Sequence, residues 1–151
     1  MGNDCYNSIT VSGDNHNLKR FYELYISQQD GVEDHLDFDK VITLPEKLPR
    51  GCDNWVMLRI RKWGTRSSYD TQISFDDDLN VSFYTVWDPC LPVIKKLIEE
   101  HPELSFEFYY EESGMDISGK ILGKDGQITF EEHGEYQSDA DEDSWDDDED
   151  E

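Results

Sequence analysis

The chain has 151 residues, enough for one domain and a tail, and its 36% apolar and 13% aromatic residues suffice for one modest core. Thirteen Lys and Arg stand against 36 Asp and Glu, a formal charge of −23, which repels nucleic acid and anionic membrane and speeds encounters with basic partners. Three widely spaced cysteines without a CxxC argue against a disulfide framework. No apolar run approaches the roughly 18 residues that span a bilayer, and no basic start leads into an apolar stretch, so a cytoplasmic protein is expected.

Residues 5–12 read as a strand with Ile9 and Val11 on one face, closed by Gly13-Asp14. Asn15 or Asn17 is placed to cap a helix running to about Gln29, with Leu18, Phe21, Tyr22 and Tyr25 on one side and Gly31 as its stop. Residues 35–43 alternate Leu36, Phe38 and Val41 and suggest a short extended segment. Two Leu-Pro steps make 44–51 a loop. A helix is expected from Asp53, carrying Trp55, Val56, Leu58 and Ile60 and breaking at Trp63-Gly64.

Residues 71–75 and 80–87 then read as two strands around the turn Asp76-Asp77-Asp78, whose side chains can bond nearby backbone. Asp88-Pro89 has the chemistry of a helix start. Val93, Ile94, Leu97 and Ile98 form an apolar stripe at helical spacing, ended by His101-Pro102. Residues 104–110 alternate Leu104, Phe106, Phe108 and Tyr110 against Ser105, Glu107 and Tyr109, the pattern of a half-buried strand. Two more strands, 115–122 and 127–131, flank a Gly-bounded Asp-Gly turn, a hairpin signal. From Ser138 the chain is acidic and low in complexity, too poor in apolar surface to offset the entropy of ordering. The expected division is a folded domain over 1–137 and a disordered acidic tail over 138–151.

The order strand, helix, strand, strand, helix, strand is that of a ferredoxin-like α+β fold, an antiparallel sheet with two helices on one face. Residues 32–63 become an inserted helix and loop segment, and the last two strands an extra C-terminal hairpin.

Several short motifs also resemble a known family. Cys5-Tyr6-Asn7 with a Val-Ser-Gly strand end, Leu36-Asp37-Phe38-Asp39-Lys40-Val41-Ile42 with Pro45, and Trp63-Gly64-Thr65 are similar to the YubB ferredoxin-like family of plasmid and phage proteins. So are Trp87-Asp88-Pro89-Cys90-Leu91-Pro92 and the segment around Ser113-Gly114-Met115-Asp116. The resemblance spans roughly residues 3–123 and leaves the tail outside. It implies a ferredoxin-like fold and a mobile-element origin, and it implies no catalytic residues.

The charge is the strongest functional signal. Without the ten acidic residues between Asp139 and Glu151 the remainder still carries −13. Carboxylates on a folded face can imitate phosphates and engage the Lys and Arg of a nucleic-acid-binding protein. The expected contacts are Asp76, Asp77, Asp78, Glu111, Glu112, Glu131 and Glu132, with Asp139, Asp141, Glu142, Asp143, Asp146, Asp147 and Asp148 in the tail. The expected function is thus an acidic mobile-element protein that sequesters a basic host protein, as a nucleic-acid-mimicking inhibitor of a defence nuclease complex. An alternative site is the basic-aromatic run Trp55, Arg59, Arg61, Lys62, Trp63 and Arg66, where stacked aromatics and guanidinium groups would hold a ligand or partner and the tail would serve solubility. The same cations have a simpler use in pairing with the chain's own carboxylates.

No metal or other cofactor is expected. Asp139, Asp141 and Asp143 fall on calcium-loop positions, but Ser144 replaces the required Gly and Asp150 the closing Glu. The four histidines are scattered and in no zinc spacing with a cysteine. GxSxG, HExxH and phosphate-loop motifs are missing from the sequence, so a non-enzymatic protein is expected.

Overall fold

The computed structural model describes residues 4–27, 34–112 and 117–135. In chain order the elements are β1 (Asp4–Ser12), α1 (Asn15–Tyr25), β2 (Ile26–Ser27), β3 (His35–Leu36), α2 (Phe38–Val41) and α3 (Trp55–Trp63). They continue with β4 (Ser68–Phe75), β5 (Leu79–Val86), α4 (Leu91–Glu100), β6 (Ser105–Glu112), β7 (Ile117–Lys124) and β8 (Gln127–Glu135).

β1 buries Cys5, Asn7, Ile9 and Val11 and turns Tyr6, Ser8 and Thr10 the other way, the period-two alternation of a strand with one covered face. It lies between β5 and β6, both antiparallel to it. The whole sheet has six strands in the order β4-β5-β1-β6-β7-β8. With the inserted segment and the last hairpin set aside, β4-β5-β1-β6 with α1 and α4 is the ferredoxin-like arrangement expected.

α1 and α4 cover one face. α4 presents Val93, Ile94, Leu97 and Ile98, all at most 1% exposed, each worth about 1.5–3 kcal/mol in buried apolar surface. Together with Leu18 and Phe21 of α1 they share one core with Ile9, Val11, Val81, Phe83, Phe106 and Phe108. Ring contacts such as Phe21 on Phe106, 5.9 Å between centroids, tie helix to sheet.

Several boundaries differ from the expected ones for local reasons. α1 starts at Asn15, so Asp14, extended and without a side-chain cap bond, is the capping position rather than Asn15 or Asn17. It ends at Tyr25, short of Gln29, because Ile26 turns extended to pair with Leu36 and Asp37 donates its N–H to the Tyr25 carbonyl. Residues 35–43 are not one extended piece: Asp37 accepts from the Asp39 N–H and caps a single helical turn over Phe38–Val41. α3 starts at Trp55, two residues after the expected Asp53, because Asn54 caps it by accepting from the Met57 N–H at 2.8 Å. α4 begins three residues after Asp88, with Cys90 at the cap and Pro92 in the first turn, where its missing N–H would have no partner. The last hairpin closes on two residues, Asp125 (φ 56°) and Gly126 (φ 78°), the paired left-handed conformations of a tight hairpin turn. Gly31, the Ser113-Gly114 turn, Met115 and the acidic tail lie outside the described residues.

Candidate functional site

No described helix covers the other face of the sheet, and the strand register lays its side chains out in rows. Tyr69, Tyr84, Tyr6, Glu111 and Ser118 follow one another across β4, β5, β1, β6 and β7. The next row runs Gln72, Ser82, Ser8, Tyr109, Lys120 and Glu132, and the one after it Ser74, Asn80, Thr10, Glu107, Leu122 and Phe130. Asp4 stands at the end of β1, opposite Val86. The surface is aromatic as well as acidic: Tyr69, Tyr84, Tyr109 and Phe130 are each 36–43% exposed.

The rings are in contact. Tyr69 stacks on Tyr84 at 5.8 Å and 25°, and Tyr6 meets Tyr84 edge-on at 5.6 Å and 63°. Two carboxylates flank them, each tied to a tyrosine hydroxyl. Tyr109 Oη donates to Glu111 Oε1 at 2.6 Å. Tyr69 bonds the Asp4 carboxylate, which pushes the phenol up to about 12. Asp4, Tyr6, Tyr84 and Glu111 together line a cleft of about 380 Å³. Lys120, 3.8 Å from Glu107, and Lys124 near the hairpin tip are the cations on this face among the described residues. Aromatic faces beside carboxylates suit a cation, through ring quadrupoles and direct charge.

The expected acidic contacts are dispersed. Asp76, Asp77 and Asp78 form the β4–β5 turn at the end of the sheet opposite to Asp4 and Glu111. Glu111 is on the open face, but Glu112, one residue on, points to the covered face and is 0% exposed. It is no surface contact, because strand alternation sends neighbours to opposite sides. Glu132 lies on the open face of β8. Glu131 lies on the helix side, 3.0 Å from Lys95 and bonded to His133, and both hold its carboxyl below the usual range. The tail carboxylates lie outside the described residues.

The basic-aromatic run is also divided. Trp63 is 9% exposed, packs its ring on Phe38 at 5.6 Å and donates Nε1–H to the Ile42 carbonyl at 2.9 Å, so it belongs to the core rather than to a binding surface. Trp55 and Arg59 are half-buried, while Arg61, Lys62 and Arg66 are exposed. None of these four cations forms an ion pair with a described carboxylate. Val56, Met57 and Ile60 on the same helix are exposed, while Leu58 is buried.

The buried chemistry is protective. Cys5, Cys52 and Cys90 are buried free thiols. Burial pushes Cys5 up to about 12 against a bond with Thr85, and Cys90 higher still. Asn7 donates Nδ2–H to the Thr85 hydroxyl at 2.9 Å and to the Cys5 carbonyl at 3.0 Å, which satisfies a polar group inside the core. Among the described residues no three His, Cys, Asp or Glu side chains are arranged to hold a metal ion, and no helix is long and apolar enough to cross a membrane.

Tyr6, Tyr69 and Tyr84 were not among the expected site residues. For Tyr6 and Tyr84 the signal was present in the alternation, since each stands between buried neighbours, whereas Tyr69 lies in an irregular stretch beside exposed Asp70, and only the register shows that the three meet.

Residues 63–150 match the family described as the ferredoxin-like domain in Api92-like protein. Among solved structures, a protein api92 from Yersinia pseudotuberculosis superposes with a TM-score of 0.53 at 14% identity, over 80% of this chain and 52% of that one. The chain therefore spans about half the length of that structure, and the likeness bears on fold alone. No curated protein matches the chain significantly. The resemblance to the YubB family rests on the short motifs alone.

Proposed function

The chain belongs to the family of ferredoxin-like domains in Api92-like proteins, and we propose that it uses this fold as a non-enzymatic, acidic binding protein that sequesters a basic partner on its open sheet face. The observation that carries this reading is the face, covered by no described helix, on which Asp4, Glu107, Glu111 and Glu132 surround four tyrosines. The −23 charge supplies long-range attraction for a basic surface and repulsion of nucleic acid. Stacked aromatics on an open sheet also suit single-stranded nucleic acid, but four carboxylates among the rings disfavour phosphate at short range. A partner that itself handles nucleic acid presents the required Lys and Arg. With the mobile-element origin that the YubB resemblance implies, that partner is a host defence nuclease complex. The cytoplasm is the matching compartment, and neither cofactor nor metal takes part.

Fluorescence polarisation with labelled hexa-arginine and a labelled single-stranded DNA of equal length, at about 50 and 300 mM NaCl, tests the reading. The peptide binds and weakens at least about tenfold at the higher salt, as expected for charges screened within about 10 Å. DNA binding without peptide binding, or a salt-independent peptide affinity, contradicts it.

A second reading has its own observation. The four cations of 59–66, without an ion pair among the described residues, adjoin the exposed Val56, Met57 and Ile60, the composition of a partner-docking patch on an accessory domain. Reversing Arg59 and Arg61 to Glu leaves hexa-arginine binding intact under the first reading and abolishes partner capture under the second.

A further inference from the structure

The acidic field explains attraction but not selectivity, and the cleft at the Asp4 end of the open face has more specific chemistry. Tyr84 and Tyr6 stand directly opposite on neighbouring strands, and Glu111 stands opposite Tyr6 on the next. Directly opposed side chains start about 4.5–5.5 Å apart at Cβ, so aromatic faces and a carboxylate converge within one side chain's width. Asp4 closes the end of the cleft. Neither carboxylate has a cation within 4 Å among the described residues. Each keeps one oxygen's worth of capacity beyond its tyrosine hydroxyl, because an ionised carboxylate accepts at about four lone-pair sites.

We propose that the cleft lined by Asp4, Tyr6, Tyr84 and Glu111 is an arginine-binding notch, which holds one guanidinium group of the basic partner against the tyrosine rings and between the two carboxylates. The inference rests on the reading of the open face as the docking surface and names the side chain that it selects. Arginine is favoured over lysine for physical reasons. Its planar group stacks on a ring while its N–H fork reaches carboxylates in the same plane, and it is less strongly hydrated than an ammonium group. The Tyr69–Tyr84 stack and the Tyr109–Glu111 bond fix both walls before the ligand arrives, which reduces the ordering cost on binding.

The test compares labelled hexa-arginine with labelled hexa-lysine, equal in charge, on the full chain and on a Tyr6→Leu/Tyr84→Leu variant. Leucine removes the rings and leaves every carboxylate in place. The wild-type chain binds hexa-arginine about tenfold more tightly than hexa-lysine, in the range of a desolvated cation–π contact. The variant loses at least fivefold of that preference and keeps its hexa-lysine affinity within about twofold. A Tyr6→Phe/Tyr84→Phe variant retains the preference. Equal wild-type affinities, or a preference unchanged by the leucine variant, overturn the notch while leaving the acidic-face reading standing. Failure of both peptides to bind overturns that reading and the notch with it. Circular dichroism on each variant separates these outcomes from misfolding; if the leucine pair does not fold, Tyr84→Leu alone and ring chemical-shift changes of Tyr6 and Tyr84 on adding hexa-arginine decide the matter, and their absence overturns the notch.

Discussion

Gly119 is the position where a single methyl group has the most specific consequence. It lies opposite Tyr110 across β6 and β7, and a Cβ there would stand 2.4, 2.6 and 2.6 Å from Cε2, Cζ and Oη of that ring. Real contacts at such distances do not occur, so the ring must move. Tyr110 is only 4% exposed, tilts against Phe108 at 6.0 Å, and shares a 2.7 Å bond with His133 Nδ1. Overpacking costs about 1–3 kcal/mol, and the lost bond about 1 kcal/mol more. Gly119→Ala is therefore expected to destabilise by about 2–4 kcal/mol. With about 4 °C per kcal/mol for a chain of this size, the midpoint falls by about 8–16 °C in thermal unfolding followed by circular dichroism. Gly134 on the outer strand is the matched control, because a Cβ there meets nothing within 4 Å, and Gly134→Ala leaves the midpoint within about 2 °C. Equal effects at both positions would refute the claim that Tyr110 occupies the space a glycine leaves.

Three further outcomes follow from the electrostatics and burial. Glu131 is held below its ordinary value of 4.5 by His133 and Lys95, so its contribution is present above that value and is lost as pH falls through the lower folded one. The stability gap between wild type and Glu131→Gln, read from urea midpoints, closes from pH 6 toward pH 3; a gap independent of pH contradicts the assignment. Tyr69, raised to about 12 by Asp4, stays protonated at pH 11, whereas in Asp4→Ala its ring signal shifts as it ionises nearer 10. The three buried thiols react with a disulfide reagent at pH 8 only after denaturation, and labelling of Cys5 or Cys90 in the native protein on the minutes scale would sink that reading.

Much of the fold was legible because the central pattern is strong. The alternation of Phe106, Phe108 and Tyr110, the stripe from Val93 to Ile98 and the Asp-Gly hairpin each have one low-energy solution. The inserted segment was harder, since Leu36 and Phe38 fit a period of two while Phe38 and Val41, three apart, fit a helical turn, and the Asp37 cap starts that turn at Phe38. The site was less legible. Glu111 and Glu112 look alike in sequence, and their opposite fates depend on which face α4 covers. Trp63 adjoins three cations in the chain, yet its indole is drawn inward by Phe38 and the Ile42 carbonyl. The tyrosine cluster required register: Tyr6 and Tyr84 are 78 positions apart, and nothing local says that they face each other.

The open face, rather than net charge in general, is the claim to test first. Two variants each remove three charges: Asp4→Asn/Glu107→Gln/Glu111→Gln on the open face, and Asp76→Asn/Asp77→Asn/Asp78→Asn in the β4–β5 turn. Hexa-arginine affinity at about 50 mM NaCl is measured for both, alongside wild type. The open-face variant is expected to bind about tenfold more weakly, with each exposed pair worth up to about 1 kcal/mol, and the turn variant within about threefold of wild type. Equal losses, or the larger loss in the turn variant, would contradict the account and return the interaction to the overall charge of the chain.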